Sequence, residues 1–200
     1  MQSPDNGGDW GVLGGSFDPV HKGHLNLAES ISKKKRLDGV LFIPAYRHPL
    51  KKEEFTAPYS DRVQMLKLAL SGNDQLQLCE IEKDQNLTGY TIDTLLALKM
   101  RFPKARFYFI IGSDLVEQLD SWHRANELLS GTNFLVGSRP GAKMGTNSKI
   151  KNLEFVEIEE LDISASNIRT QIKAGATIEQ ISKLVPAAVA EFIFERGLYR

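Results

Sequence analysis

Short apolar runs alternate along the chain with longer stretches in which apolar residues recur at helical spacing, among them the long stretch of residues 114–131. The runs are rich in Val, Ile and Phe and are bounded by turn residues, which is typical of buried strands. They lie at residues 10–13, 40–43, 76–81, 107–111, 134–136 and 155–158. Between two of them, Val63, Leu66 and Leu70 share one face of a predicted helix, and Gly72 supplies a stop signal.

Strands that alternate with helices predict an α/β fold. We expect a single Rossmann-like, doubly wound, mostly parallel sheet of five or six strands, with helices on both faces and a C-terminal helical part. Residues 9–200 are expected to form one domain, and the polar residues 1–8 a disordered tail. Sheets of this kind bind ligands beyond the carboxyl ends of their strands, so candidate chemistry is sought there.

The composition of the chain argues against several classes of protein. Lys plus Arg and Asp plus Glu both number 25, so no basic excess points to nucleic acid or an anionic membrane. No run approaches the roughly 18 apolar residues of a membrane span. The single cysteine, Cys79, excludes an internal disulfide and fits a reducing compartment. We therefore expect a cytoplasmic enzyme or binding protein; a homo-oligomer remains open.

A glycine pair and two histidines follow the first predicted strand. Gly14 and Gly15 allow the backbone to turn tightly and to approach a ligand without a Cβ, and a helix is expected to begin near Lys22. Backbone N–H groups at a helix start favour a bound phosphate. The i, i+3 spacing puts His21 and His24 on one side of the first turn, where both imidazoles can reach the same anion.

Two other interpretations of this segment are open at this point. The glycine pair alone can be a plain strand-to-helix turn. Two nearby histidines can also bind zinc, although the chain has no cysteine cluster, no H-E-x-x-H arrangement and only two other histidines, the distant His48 and His123.

A second phosphate-binding element is predicted in the last third of the chain. Ser164 and Ser166 offer hydroxyls at the start of a helix, and Arg169 lies one turn further on. Capping alone would explain the serines. Together, however, hydroxyls, a helix start and a guanidinium suit a triphosphate tail.

Both elements resemble motifs of the nucleotidyltransferase superfamily. Residues 16–24, SFDPVHKGH, resemble its HxGH signature, and residues 162–169, DISASNIR, its ISSTxIR element. Members join a nucleoside triphosphate to a phosphate or alcohol acceptor and release pyrophosphate. Ala165 stands where a second serine is usual and removes one hydroxyl; Ser166 replaces a threonine and keeps one, so nucleotide binding is expected to survive.

Four further segments narrow the resemblance. Residues 89–98, 109–124, 136–141 and 184–200 resemble bacterial nicotinate-nucleotide adenylyltransferases, in order and spacing, over residues 10–200. The resemblance implies that ATP and nicotinate mononucleotide are joined into nicotinate adenine dinucleotide, with release of pyrophosphate, in NAD biosynthesis. Mg²⁺ would be carried by the ATP phosphates with no metal site on the protein.

The resemblance also implies residue roles, with His21, His24 and Arg169 as catalytic residues. The implied ATP site comprises Gly14, Gly15, Ser16, Phe17, His21, His24, Lys51, Gly112, Asp114, Ser164, Ser166 and Arg169. The implied mononucleotide site comprises Ser16, Lys51, Thr91, Trp122 and Arg139. Trp122 can present a flat face to a pyridine ring, and Thr91 opens a helix with spare N–H groups for its acidic substituent.

One loop departs from the family pattern. The family usually shows PPHK or PPHR after the second strand, whereas this chain has His48, Pro49, Leu50 and Lys51. Lys51 keeps the basic residue expected to touch the triphosphate, but Leu50 cannot replace an imidazole, and a charged, solvated loop is the plain alternative.

Two other functions and one choice of substrate remain open on sequence alone. Another HxGH enzyme, above all a pantetheine-phosphate adenylyltransferase, leaves Trp122 unexplained. A non-catalytic nucleotide-binding domain is favoured slightly by Leu50 and Ala165. Nicotinate and nicotinamide mononucleotide differ by one charge and one hydrogen-bond reversal, which the sequence does not decide.

Overall fold

The computed structural model describes residues 2–47, 55–139, 141, 150–159 and 161–200. Its strands are β1 (Gly8–Gly15), β2 (Gly39–Pro44), β3 (Leu76–Leu78), β4 (Ala105–Gly112), β5 (Asn133–Ser138) and β6 (Asn152–Glu157). They form a six-stranded sheet in the order β3-β2-β1-β4-β5-β6, and every neighbouring pair is parallel. The predicted doubly wound α/β sheet is confirmed.

Helices connect the strands and cover both faces of the sheet. They are α1 (Lys22–Lys35), α2 (Tyr59–Leu70), α3 (Ile81–Asp84), α4 (Thr91–Arg101), α5 (Ala125–Gly131), α6 (Ala165–Lys173), α7 (Ile178–Ile181) and α8 (Ala187–Glu195). The last three form the expected C-terminal helical part. In the described part of the chain, no helix is long and apolar enough to cross a membrane.

Alternate residues of the central strands pack in two separate hydrophobic cores, one on each face of the sheet. Val12 of β1 and Leu41 of β2 belong to one buried cluster, whereas their neighbours Leu13 and Phe42 belong to the other. Successive side chains of a strand point to opposite faces, so a sheet buried on both sides needs continuous apolar runs. Close packing also restricts the side chain at one position of β2: a Cβ on Gly39 would lie 2.5 Å from the Trp10 ring, so only glycine fits there.

Two local expectations are wrong. Residues 2–8 are not a disordered tail: Pro4–Asn6 form a 3-10 helix capped by Ser3, and the Trp10 indole N–H donates to the Gly7 carbonyl at 3.0 Å. The second concerns the long helical pattern after β4, which is interrupted. A 3-10 helix (Ser113–Ser121) is separated from α5 because Arg124 adopts φ 53°, a left-handed conformation that no continuous helix contains.

Candidate active site

A cavity of about 920 Å³ opens at the carboxyl ends of the central strands. Its walls come from segments that are distant in sequence: the turn after β1, the segment after β2, the start of α4, the end of the 3-10 helix and α6. Of the residues predicted to bind substrates, its lining contains Gly14, Gly15, Ser16, Thr91, Trp122 and Arg169. The parallel sheet thus brings the two predicted halves to one edge, as its topology requires.

The predicted pair of histidines is formed at the start of α1. His21 is the N-cap residue, its backbone N–H lies 3.2 Å from Nδ1 of His24, and the two imidazoles stack with centroids 3.7 Å apart. Neither imidazole is among the residues that line the cavity. Phe17, fully buried and edge-on to His24 at 5.0 Å, belongs to the core instead.

Burial favours the neutral form of both imidazoles. It lowers the pKa of His21 to about 4. Burial also lowers the pKa of His24 well below its usual value, and the charge of a protonated His21 lowers it further. A neutral imidazole still carries one N–H donor, so each ring can donate to a phosphate oxygen without being a cation beforehand.

The glycine pair has an open backbone at the cavity, as expected, but its conformation is one that other residues can also adopt. Neither Gly14 nor Gly15 has a positive φ, so the turn itself does not require glycine there; the left-handed residue is Phe17, at φ 48°. A Cβ on Gly14 would find only ordinary contacts with the Phe109 ring. What the exposed Gly14 supplies is an open backbone on the wall of the cavity.

Helix α6 supplies the other predicted half. Ser164 is its N-cap, accepting from the Asn167 N–H at 3.2 Å, and its hydroxyl lies 3.2 Å from that of Ser166. Ala165 is the first residue of the helix, a position that the cap by Ser164 leaves without need of a hydroxyl. Both serines are exposed and lie outside the cavity lining.

Arg169 joins the two halves physically. Its guanidinium donates to the Asp18 carbonyl at 2.7 Å, across 151 positions of sequence, and lines the cavity. The predicted convergence of α6 with the turn after β1 is therefore present in the structure.

Thr91 and Trp122 both line the cavity. Thr91 is the first residue of α4, as expected, and Trp122 is half-buried with its ring edge-on to Phe109 at 6.2 Å. Trp122 follows the 3-10 helix at the interruption described above. Next to them, the rings of Tyr90 and His123 stack at 3.9 Å, and both line the cavity.

Other predicted residues are placed elsewhere or not described. Gly112 ends β4, the exposed Asp114 follows it, and the exposed Arg139 follows β5; none of the three lines the cavity. Lys51, and with it His48 and Leu50 of the departing loop, lies outside the described residues.

Two buried charged residues of the site escaped the sequence analysis. Arg62 is fully buried and donates to the carbonyls of Ser16 at 2.6 Å, Ala45 at 2.9 Å and Ala57 at 3.3 Å. Asp18, 4% exposed, accepts hydrogen bonds from the loop before α2. The only sequence signal was a charge beside apolar positions, which also describes ordinary surface residues.

Glu82 is a third buried charge at the cavity wall. Its carboxylate accepts from the Tyr46 N–H at 3.0 Å and from the Thr94 hydroxyl at 2.7 Å, and burial raises its pKa. It thereby ties the segment after β2 to α4. Among the residues that the structure describes, no three His, Cys, Asp or Glu side chains form a group that could hold a metal ion.

Fold and site together define a nucleotidyltransferase of the Rossmann-like class. The sequence model of the cytidylyltransferase-like family matches residues 12–171, and the chain belongs to that family. Within that family, the chain belongs to the nicotinate-nucleotide adenylyltransferases, because relatives of that name are 36–39% identical over 94–95% of its length.

Two of its relatives carry the name "Probable nicotinate-nucleotide adenylyltransferase". The protein of Halalkalibacterium halodurans is 39% identical over 95% of this chain and 90% of its own length. That of Dehalococcoides mccartyi is 38% identical over 94% of this chain and 96% of its own. The fold matches Plasmodium falciparum nicotinic acid mononucleotide adenylyltransferase complexed with NaAD, with a TM-score of 0.81, 21% identity and coverage of 96% and 97% of the two chains.

Proposed function

We propose that this protein joins ATP and nicotinate mononucleotide into nicotinate adenine dinucleotide and pyrophosphate, a step of NAD biosynthesis. The observation that carries the proposal is one cavity whose lining contains Gly14, Gly15, Ser16 and Arg169 together with Thr91, the first residue of α4, and the half-buried Trp122. The names of its full-length relatives support the same reaction. The single cysteine favours a cytoplasmic location.

The reaction itself asks for positioning and for charge stabilisation. A 5′-phosphate oxygen of the mononucleotide attacks the α-phosphorus of ATP in line. A new P–O bond forms, the bond from the α-phosphorus to the bridging oxygen breaks, and its electron pair leaves with pyrophosphate. The attacking oxygen is already an anion, so no general base is needed.

The proposed phosphate-binding residues are those of the two halves. His21 and His24 donate to the α- and β-phosphate oxygens, and Arg169 holds the β,γ end with the start of α6 at Ser164 and Ser166. Gly14, Gly15, Ser16 and Phe17 supply the backbone turn, and Lys51 a further cation. Mg²⁺ enters as part of the substrate MgATP, since imidazole and guanidinium donors in this half suit phosphate oxygens rather than a hard cation.

The proposed mononucleotide site lies around Trp122 and Thr91. The indole offers a flat apolar face to the pyridine ring, and the N–H groups at the start of the eleven-residue α4 suit its carboxylate. This polarity favours nicotinate over the uncharged nicotinamide. Ser16, Arg139 and Lys51 contact the remainder of the mononucleotide, and Gly112 and Asp114 lie near the nucleotide riboses.

Pyrophosphate release from ATP tests the proposal, with nicotinate and nicotinamide mononucleotide supplied in parallel. We expect turnover with both or with nicotinate alone, and a higher kcat/KM for nicotinate. Failure with both mononucleotides would overturn the function; a preference for nicotinamide would overturn the assignment of the α4 start to a carboxylate.

A further inference from the structure

The segment after α8 reaches Asp18, a residue that lines the active-site cavity. Tyr199 in this segment is 5% exposed, and its hydroxyl donates to Oδ1 of Asp18 at 2.6 Å. The ring packs in the buried cluster that also contains Phe17 and Ile168. Tyr199 is not among the residues that line the cavity, whereas Asp18 is.

The backbone at Tyr199 is held in an unfavourable conformation. Its φ of 66° lies in the left-handed region, which disfavours residues with a Cβ. Such a conformation persists where the surroundings fix the residue. Here the fixing contacts are the buried ring and the hydroxyl, so this side chain anchors the segment to Asp18.

Asp18 also accepts hydrogen bonds from residues in the wall of the cavity. Its carboxylate accepts from the backbone N–H of Thr56 at 2.7 Å and of Ala57 at 3.1 Å, and its carbonyl accepts from Arg169 at 2.7 Å. Asp18, Thr56 and Arg169 all line the cavity. The Tyr199 hydroxyl, although outside the cavity, is therefore linked through Asp18 to two residues of its lining, Thr56 and Arg169.

The proton of this bond belongs to the tyrosine. Burial, followed by the neighbouring Asp18 carboxylate, raises the pKa of the Tyr199 hydroxyl, while the nearby Arg169 and Arg62 lower it by less. The hydroxyl thus stays protonated and donates throughout the neutral range. A hydrogen bond to an ionised acceptor is stronger than one between neutral groups.

We propose that Tyr199 is a positioning residue for the ATP side of the cavity: its hydroxyl fixes the Asp18 carboxylate, and Asp18 in turn sets the places of Thr56 and Arg169. The inference rests on the proposed function only in that this side binds the triphosphate. Tyr199 itself touches no substrate in this scheme.

The variant Tyr199→Phe tests the proposal because it removes only the hydroxyl. We expect the Kd of a non-hydrolysable ATP analogue, measured by calorimetry, to rise about tenfold, as the loss of a charge-assisted bond predicts. The KM for ATP rises by a similar factor, and the KM for the mononucleotide is unchanged. Tyr108→Phe is the matched control, since Tyr108 is half-buried, its hydroxyl accepts from the exposed Arg106 at 3.4 Å, and neither residue lines the cavity.

A double-mutant cycle shows whether the effect passes through Asp18. The Kd of Asp18→Ala/Tyr199→Phe should equal that of Asp18→Ala alone, because alanine leaves the Tyr199 hydroxyl no acceptor at this position; independent, multiplying effects would overturn the proposal. An unchanged analogue Kd in Tyr199→Phe would also overturn it, even if the variant unfolds more easily, since that is the signature of a purely structural contact. Analogue binding needs no acceptor substrate, so these results stand apart from any failure of pyrophosphate release.

Discussion

Replacement of Arg62 by methionine should cost far more stability than the loss of an ordinary surface arginine. Methionine keeps an apolar stem but leaves the carbonyls of Ser16, Ala45 and Ala57 without their donor. The bond to Ala57 is buried and those to Ser16 and Ala45 are part-buried. At about 1 kcal/mol for each unpaired carbonyl, the low end of the usual range, the sum is at most about 3 kcal/mol. That is a large part of the free energy of unfolding of a typical domain, which is roughly 5–15 kcal/mol.

The same variant should weaken ATP binding, since Ser16 and Ala45 line the cavity. Urea unfolding gives the free energy, with Arg124→Met as the matched control. Arg124 pairs with Asp93 at 3.0 Å and Glu127 at 2.8 Å but is 40% exposed, so its loss should cost less than about 1 kcal/mol. An equal loss of unfolding free energy in the two variants would refute the idea that the hydrogen bonds of Arg62 to these three carbonyls stabilise the fold.

Two further predictions concern the histidine pair. His24→Ala should lower kcat by about 10²- to 10³-fold in a protein that circular dichroism shows to be folded, because one phosphate donor is lost; unchanged turnover would exclude His24 from the chemistry. The folded pKa of His21, about 4, lies below its ordinary 6.5, so the unfolded chain binds the proton more tightly and the free energy of unfolding falls as pH drops from 6.5 to about 4. His21→Gln should reduce this slope in urea titrations without abolishing it, because the lowered pKa of His24 contributes in the same direction; an unchanged slope would contradict the assignment.

The sequence predicted most of the fold because its signals are local. Apolar runs of β1 and β4 mark strands buried on both faces, and helix stops such as Gly72 are read directly from the residue type. The interruption before α5 was missed, since a left-handed Arg124 has no signature in composition. The order of residues 2–8 was missed because distant side chains hold them: Gln77 donates to the Gln2 carbonyl at 2.9 Å, and Arg101 pairs with Asp5 at 3.1 Å.

Part of the candidate site could likewise be predicted from local sequence signals. Motifs and spacing pointed to His21, His24 and Arg169, and the structure brings the pair together and joins Arg169 to the same turn. Their roles remain predictions. Spacing along a helix is local, so the histidine pair could be inferred from three positions of sequence.

What only the tertiary structure decided is which polar groups are buried and with what they pair. Asp18 and Arg62 look like surface charges in the sequence, yet each joins segments more than 35 positions apart: Asp18 meets Thr56 and Tyr199, and Arg62 meets Ser16. A buried charge is stable only when distant partners supply its hydrogen bonds, and those partners are chosen by the folding of the whole chain. The sequence by itself determined the sheet, its connecting helices and the residue types at the edge where ligands bind.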